Sequence, residues 1–131
     1  MFEKKIEISF GDCDPAGIVF YPNYYRWFDA TFQSMLLNKG LSQKILGEKI
    51  ATVGTGLIDT GATFRSPAMY GQTLSMQLSI TEWKERTFKI TYKGFIGERL
   101  CVEGFELRGV FILQDGKLKT GPVEPLRNLI E

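Results

Sequence analysis

The sequence predicts an α+β fold: one long helix covered by an antiparallel β-sheet of five or more strands. Three observations predict it. A single long helical pattern, about Pro22 to Lys39, is apolar around most of its circumference. From Leu57 onward the apolar segments read as strands, several alternating with a period of two. The turns between them are hairpin-short, which suits antiparallel pairing.

The elements follow in order. Ile6, Ile8 and Phe10 alternate with Lys5, Glu7 and Ser9, the pattern of a first strand. The run Asp12-Cys13-Asp14-Pro15-Ala16-Gly17 breaks it as a turn. Pro22 suits the first helical position, where a missing N–H costs nothing, and Gly40 suits the position just past the end. Tyr24, Tyr25, Trp27, Phe28, Ala30, Phe32, Met35, Leu36 and Leu37 leave only a narrow polar stripe of Arg26, Asp29 and Gln33, so the helix is expected to be buried nearly all round. A short helix is expected at Ser42 to Gly47. Strands follow at Leu57 to Phe64, Thr73 to Trp83, around Phe88 to Tyr92, and Leu100 to Leu113, with bulges expected at Gly104 and Gly109. Asp115-Gly116 signals a hairpin, and Pro122 to Glu131 a last short helix. A sheet with one covered face, a second face and two edges is expected to self-associate.

Composition narrows the function classes. The 131 residues suit a single domain spanning 1–131, and a net charge of +1 offers no basic stripe for a polynucleotide. Two cysteines are too few for a disulfide framework, the start has no apolar leader, and no window is long enough for a membrane span, so a cytoplasmic protein is expected. The chain contains no histidine. Ser-His-Asp and Cys-His catalysis and a His-ligated zinc are therefore excluded, leaving carboxylates, amides, hydroxyls, Lys and Arg. No metal or redox cofactor is expected.

The richest segment is Phe10-Gly11-Asp12-Cys13-Asp14-Pro15-Ala16-Gly17-Ile18-Val19-Phe20-Tyr21-Pro22-Asn23-Tyr24. It sets a carboxylate in a Pro/Gly turn just ahead of a helix start, whose free N–H groups and dipole attract negative charge. Folding back over Gly17 would bring Asp14 and the Tyr21-Pro22 helix start to one carbonyl group. Such a pair suits thioesters: the leaving thiolate has a conjugate pKa of about 8.5 and departs with little help from an acid. Asp14 could attack directly or activate water, and the residues leave both roles open. Asp12 reads as a turn former, and Cys13, with no histidine partner, as a small packing residue.

This run, followed by Arg26-Trp27, Asp29-Ala30, Val53-Gly54-Thr55, Glu82-Trp83 and Phe88, resembles the 4-hydroxybenzoyl-CoA thioesterase family of the hotdog fold. The resemblance implies hydrolysis of an acyl-CoA thioester, with an aromatic acyl group favoured, by homotetramers built from dimers with sites at subunit interfaces. It implies Asp14 as the catalytic carboxylate and the Tyr21 amide as the oxyanion donor. Asp29 would lie near the aromatic acyl group, and Lys84 and Arg86 would meet the phosphates of coenzyme A. The turn departs from the family in carrying Glu85 between them. Read without the family, Asp29 could equally pair with Arg26 or Gln33, and Lys84 and Arg86 could be a solvated turn. The competing reading of the whole chain is a non-catalytic acyl-CoA binding module.

Overall fold

The computed structural model describes all residues 1–131. In chain order the elements are β1 (Phe2–Glu7), a 3-10 turn (Phe10–Asp12), α1 (Pro22–Asn38), α2 (Gln43–Ile50), β2 (Gly54–Phe64), β3 (Thr73–Trp83), β4 (Thr87–Ile96), β5 (Arg99–Gln114), β6 (Lys117–Gly121) and α3 (Glu124–Ile130). The strands form one antiparallel sheet in the order β1-β3-β4-β5-β2. β4 pairs with β5 as far as Gly109, and β6 takes its place beside Val110 to Gln114. This is the hotdog arrangement: a long helix held by a curled sheet.

The helix packs because its sequence repeats at helical spacing. Tyr24, Trp27, Phe28, Thr31, Phe32, Met35 and Leu36 form its buried stripe. They meet the inner face of the sheet, including Leu74, Met76, Leu78, Phe88, Ile90 and Tyr92. Phe28 stacks on Tyr92 with ring centroids 4.5 Å apart. Gly104 permits this approach: a Cβ there would come within 2.4 Å of the Phe28 ring and 2.9 Å of the Gly61 carbonyl oxygen.

Several expectations are corrected. The first strand ends at Glu7, and Phe10 is exposed, edge-on to Tyr70. The Ser9–Asp12 hydrogen bonds divert the chain before the alternation can continue. The helix is buried along a stripe and not all round: Leu37 is exposed and Tyr25 half-buried. A single sheet covers one side of a helix only. The register shifts fall at Ile58, Thr81 and Cys101, not at Gly104 and Gly109. Those two glycines stay in register and make room instead, Gly109 against Thr120 and Ile58. The short helix runs three residues further, to Ile50, because Ser42 caps it by accepting from the Ile45 N–H and Ala51 ends it in a left-handed turn.

Candidate active site

The loop between β1 and α1 is built from its own polar side chains. Asp12 Oδ2 accepts from both the N–H and the hydroxyl of Ser9 at 2.9 Å. Its Oδ1 accepts from Arg26 at 3.1 Å, and its carbonyl from the Phe20 N–H and the Asn23 amide. Asp12 therefore ties the loop to the first turn of α1, the structural role its position suggested.

Asp14 closes the next turn. Its Oδ1 accepts from the Ala16 N–H at 2.8 Å, and its carbonyl from the Gly17 N–H at 2.9 Å. Gly17 has φ +83°, a conformation L side chains rarely adopt, so the turn needs glycine here. The second carboxylate oxygen has no partner within the chain. Val19 N–H then donates to the Ala68 carbonyl, and Ile18 bridges to Met69. These bonds fold the loop against the corner that follows β2.

Between loop and corner lies a cavity of about 540 Å³ lined by Asp14, Ile18, Tyr21, Tyr24, Phe64 and Arg65, with Ser66, Pro67 and Ala68 behind. Tyr24 forms its inner wall, 5.5 Å from Phe64 and 5.6 Å from Trp27 between ring centroids. Burial pushes the Tyr24 phenol up to about 12. The helix start supplies one available donor. Pro22 has no N–H, and the N–H groups of Asn23 and Tyr24 are taken by the Phe20 and Tyr21 carbonyls. The Tyr21 N–H has no acceptor in the chain. A free carboxylate oxygen and a free helix-start amide thus come from residues that line one mostly apolar cavity.

The other predicted residues lie elsewhere. Asp29 sits on an exposed flank of α1, accepting from Arg108 at 2.8 Å and from Gln33 at 3.2 Å. Arg26 turns to Asp12 instead. Lys84 stands beside Glu82 in the turn between β3 and β4, and Arg86 donates to the Thr120 carbonyl at 2.7 Å. None of Asp29, Lys84 and Arg86 lines the Asp14 cavity.

Two features escaped the sequence reading. Arg65 is the one cation lining the cavity, its Nε donating to Glu103 at 2.9 Å. Ser66-Pro67 marks the end of a strand, but nothing local shows that the corner folds back on the loop. Arg108 and Glu106 are buried behind Asp29. Their signal was readable: on β5 they share the alternate positions of Val102 and Val110, which places two charges on the inner face.

No helix is long and apolar enough to cross a membrane. Residues 8–128 match the family described as the thioesterase-like superfamily. The chain is 36% identical over 120 residues to 4-hydroxybenzoyl-CoA thioesterase of Pseudomonas sp. strain CBS-3, covering 84% of this chain and 82% of that one. The solved structure of that enzyme superposes with a TM-score of 0.84 at 29% identity, over 95% of this chain and 96% of that one. A gentisyl-coenzyme A thioesterase superposes with a TM-score of 0.81, also at 29% identity, over 95% and 98%. With the fold, the loop motif and these likenesses in agreement, the chain belongs to the thioesterase-like superfamily and, within it, to the 4-hydroxybenzoyl-CoA thioesterase family of hotdog enzymes.

Proposed function

We propose that this thioesterase hydrolyses an acyl-CoA whose acyl group is aromatic and hydroxylated, of the 4-hydroxybenzoyl kind, releasing the carboxylic acid and coenzyme A. The observation that carries the reading is the pairing of Asp14 with the unoccupied Tyr21 N–H on one cavity. The thioester carbonyl oxygen accepts from that N–H. The carbonyl carbon then meets either the free Asp14 oxygen, forming an anhydride that water cleaves, or a water deprotonated by Asp14. In both routes negative charge grows on the carbonyl oxygen, where one preorganised donor is worth about 2.7–4 kcal/mol. The thiolate leaves unaided, so the absence of histidine costs the reaction nothing at that step. No metal or redox group enters the scheme.

The aromatic assignment is supported by the substrates in the relatives' names and by the Tyr21, Tyr24 and Phe64 rings around the cavity. In this reading Asp29 accepts a hydrogen bond from the acyl hydroxyl, Lys84 and Arg86 meet the coenzyme A phosphates, and Gly17 keeps the turn beside the thioester open. Because those side chains stand apart from Asp14 in one chain, a second copy completes the site, in a cytoplasmic homotetramer built from dimers. The exposed Leu57, Ile58 and Phe64 on the edge strand β2 favour such association.

The test is thiol release from aryl and aliphatic acyl-CoAs by the native chain and Asp14→Asn. The native chain is expected to prefer hydroxyaryl thioesters, and the variant to lose at least about a hundredfold in kcat. Binding without hydrolysis by the native chain would make it an acyl-CoA binding module instead.

A further inference from the structure

Under the middle of α1 lies a charged cluster that packing alone does not call for. Arg108 and Glu106 are 5% and 2% exposed. Arg108 Nε and Nη2 each donate to one oxygen of Glu106 at 3.0 Å, a two-pronged pair. Nη1 donates to the Thr55 carbonyl at 2.7 Å, and the Tyr92 hydroxyl donates to Glu106. The guanidinium lies 4.8 Å over the Phe32 ring. A buried ion pair of this kind is often no more stabilising than well-packed apolar residues of the same volume, so stability is a weak reason for it.

The cluster has one outlet. Arg108 Nη2 also donates to Asp29 Oδ1 at 2.8 Å, and the Asp29 side chain is 54% exposed. Gln33 donates to the same oxygen, and is itself held by Gln43, which also donates to the Thr55 hydroxyl. Both bonds to Asp29 end on Oδ1. Oδ2 has no partner in the chain. A lone aspartate on a helix surface would turn among rotamers; this one is anchored through a buried arginine that is hydrogen-bonded at all three nitrogens.

We infer that Arg108 and Glu106 are positioning residues that fix Asp29, so that its free oxygen accepts a hydrogen bond from a hydroxyl on the acyl group. The inference rests on the hydroxyaryl reading given above. It adds that discrimination for the hydroxyl is set from beneath the helix by residues that never touch substrate. Glu106 holds the guanidinium in plane, Thr55 fixes its rotation, and the second N–H of Nη2 aims at Asp29.

The test compares kcat/KM for 4-hydroxybenzoyl-CoA with that for benzoyl-CoA, whose only difference is the hydroxyl. The native chain, Asp29→Asn, the pair Glu106→Gln/Arg108→Gln, and all three changes together form a cycle. The paired change removes both buried charges at once, so neither is stranded. Asp29→Asn and the paired change are each expected to cut the preference for the hydroxyl about tenfold. The triple variant is expected to lose no more than Asp29→Asn alone. Arg108→Lys, which keeps a charge but cannot span Glu106, Thr55 and Asp29 together, is expected to lose the same preference. A merely structural role would lower stability and both rates alike and leave the ratio in place. If either folded Arg108 variant keeps the native ratio while Asp29→Asn loses it, the positioning role is wrong. If Asp29→Asn itself keeps the ratio while hydrolysis persists, the Asp29 contact is wrong and the inference falls with it. If the native chain hydrolyses no aryl thioester, the reading beneath both has failed.

Discussion

Asp14 and Asp29 flank the first half of one helix and are held in different ways. Asp14 is half-buried in a loop, with one oxygen on a backbone N–H and the other free over an apolar cavity. Asp29 is on the surface of α1, yet its anchor reaches through Arg108 to Glu106 and Tyr92 in the core. Each carboxylate sits where its kind of task can be met. A carboxylate that must react needs an unencumbered oxygen and a turn that keeps its shape under attack. A carboxylate that must recognise needs its direction fixed, and a helix surface cannot fix it without help from below.

The largest effect should come from breaking the anchored side of this contrast. Arg108→Gln alone leaves the Glu106 carboxylate buried without its cation. Urea unfolding is expected to show a loss of about 3–5 kcal/mol, much of it recovered when Glu106→Gln is added. Asp14→Asn, by contrast, is expected to stay within about 0.5 kcal/mol of the native chain. A mild Arg108→Gln, below about 1 kcal/mol, would mean that water reaches Glu106 and that the anchor is soft.

The cavity side can be sharpened by pH. Burial raises the Tyr24 phenol from 10.0 to about 12, so the folded state holds its proton longer than the unfolded chain does. That contribution is whole below pH 10 and is lost as pH rises through 12. Two pH units correspond to about 2–3 kcal/mol in full, and less at the wall of a solvent-open cavity. The native chain should lose about 1–2 kcal/mol more stability than Tyr24→Phe between pH 10 and 12, measured by denaturant unfolding. The Tyr24 hydroxyl makes no hydrogen bond within the chain, so the two proteins should be nearly equal at pH 8. Parallel alkaline profiles would show a wet cavity wall.

Gly104 tests whether the helix must sit so close to the sheet for the anchor to reach Asp29. Gly104→Ala puts a Cβ 2.4 Å from the Phe28 ring and 2.9 Å from a backbone carbonyl, which cannot yield as a flexible side chain could. The expected cost is about 1–3 kcal/mol in urea unfolding. Gly11→Ala, in the Asp14 loop, meets nothing within 4 Å and should change stability by less than about 0.5 kcal/mol.

The fold was legible because its signals are local. Alternation marked β3 and β4, Pro22 and Gly40 bracketed α1, and Asp115-Gly116 marked the last hairpin. The loop half of the candidate site was legible for the same reason: Asp14 and Tyr21, which line one cavity, are near neighbours in sequence. Phe10 was misread because Asp12 captures Ser9 and ends the strand early. Gly104 and Gly109 were misread because a glycine in a strand can mark a bulge or a close approach, and only the opposite layer decides which. Arg65 was missed for a related reason, because its place depends on the pairing of Val19 with Ala68. The inward position of Arg108 was readable from the alternation on β5, but its reach to Asp29 depends on the packing of β5 against α1.

The smallest effect concerns the basic turn, and it asks whether the contrast extends to a third region. Lys84 and Arg86 flank Glu85, Arg86 is partly committed to the Thr120 carbonyl, and Lys84 stands beside Glu82. Neither carries a buried anchor like that of Asp29, so each can offer only a solvated charge to a phosphate. Lys84→Ala and Arg86→Ala are each expected to raise KM for an aryl-CoA about two- to fivefold and to leave kcat in place. The same variants should not change KM for the matching N-acetylcysteamine thioester, which carries no phosphate. The rise should also shrink with added salt, because exposed charges are screened over about 8–10 Å. Equal losses on both thioesters would take these residues away from the nucleotide and leave the turn as ordinary surface. A loss confined to the coenzyme A ester, set against the unchanged Asp14 chemistry, would separate three tasks along one chain: reaction in a loop, recognition on an anchored helix, and capture of the carrier by a solvated charge.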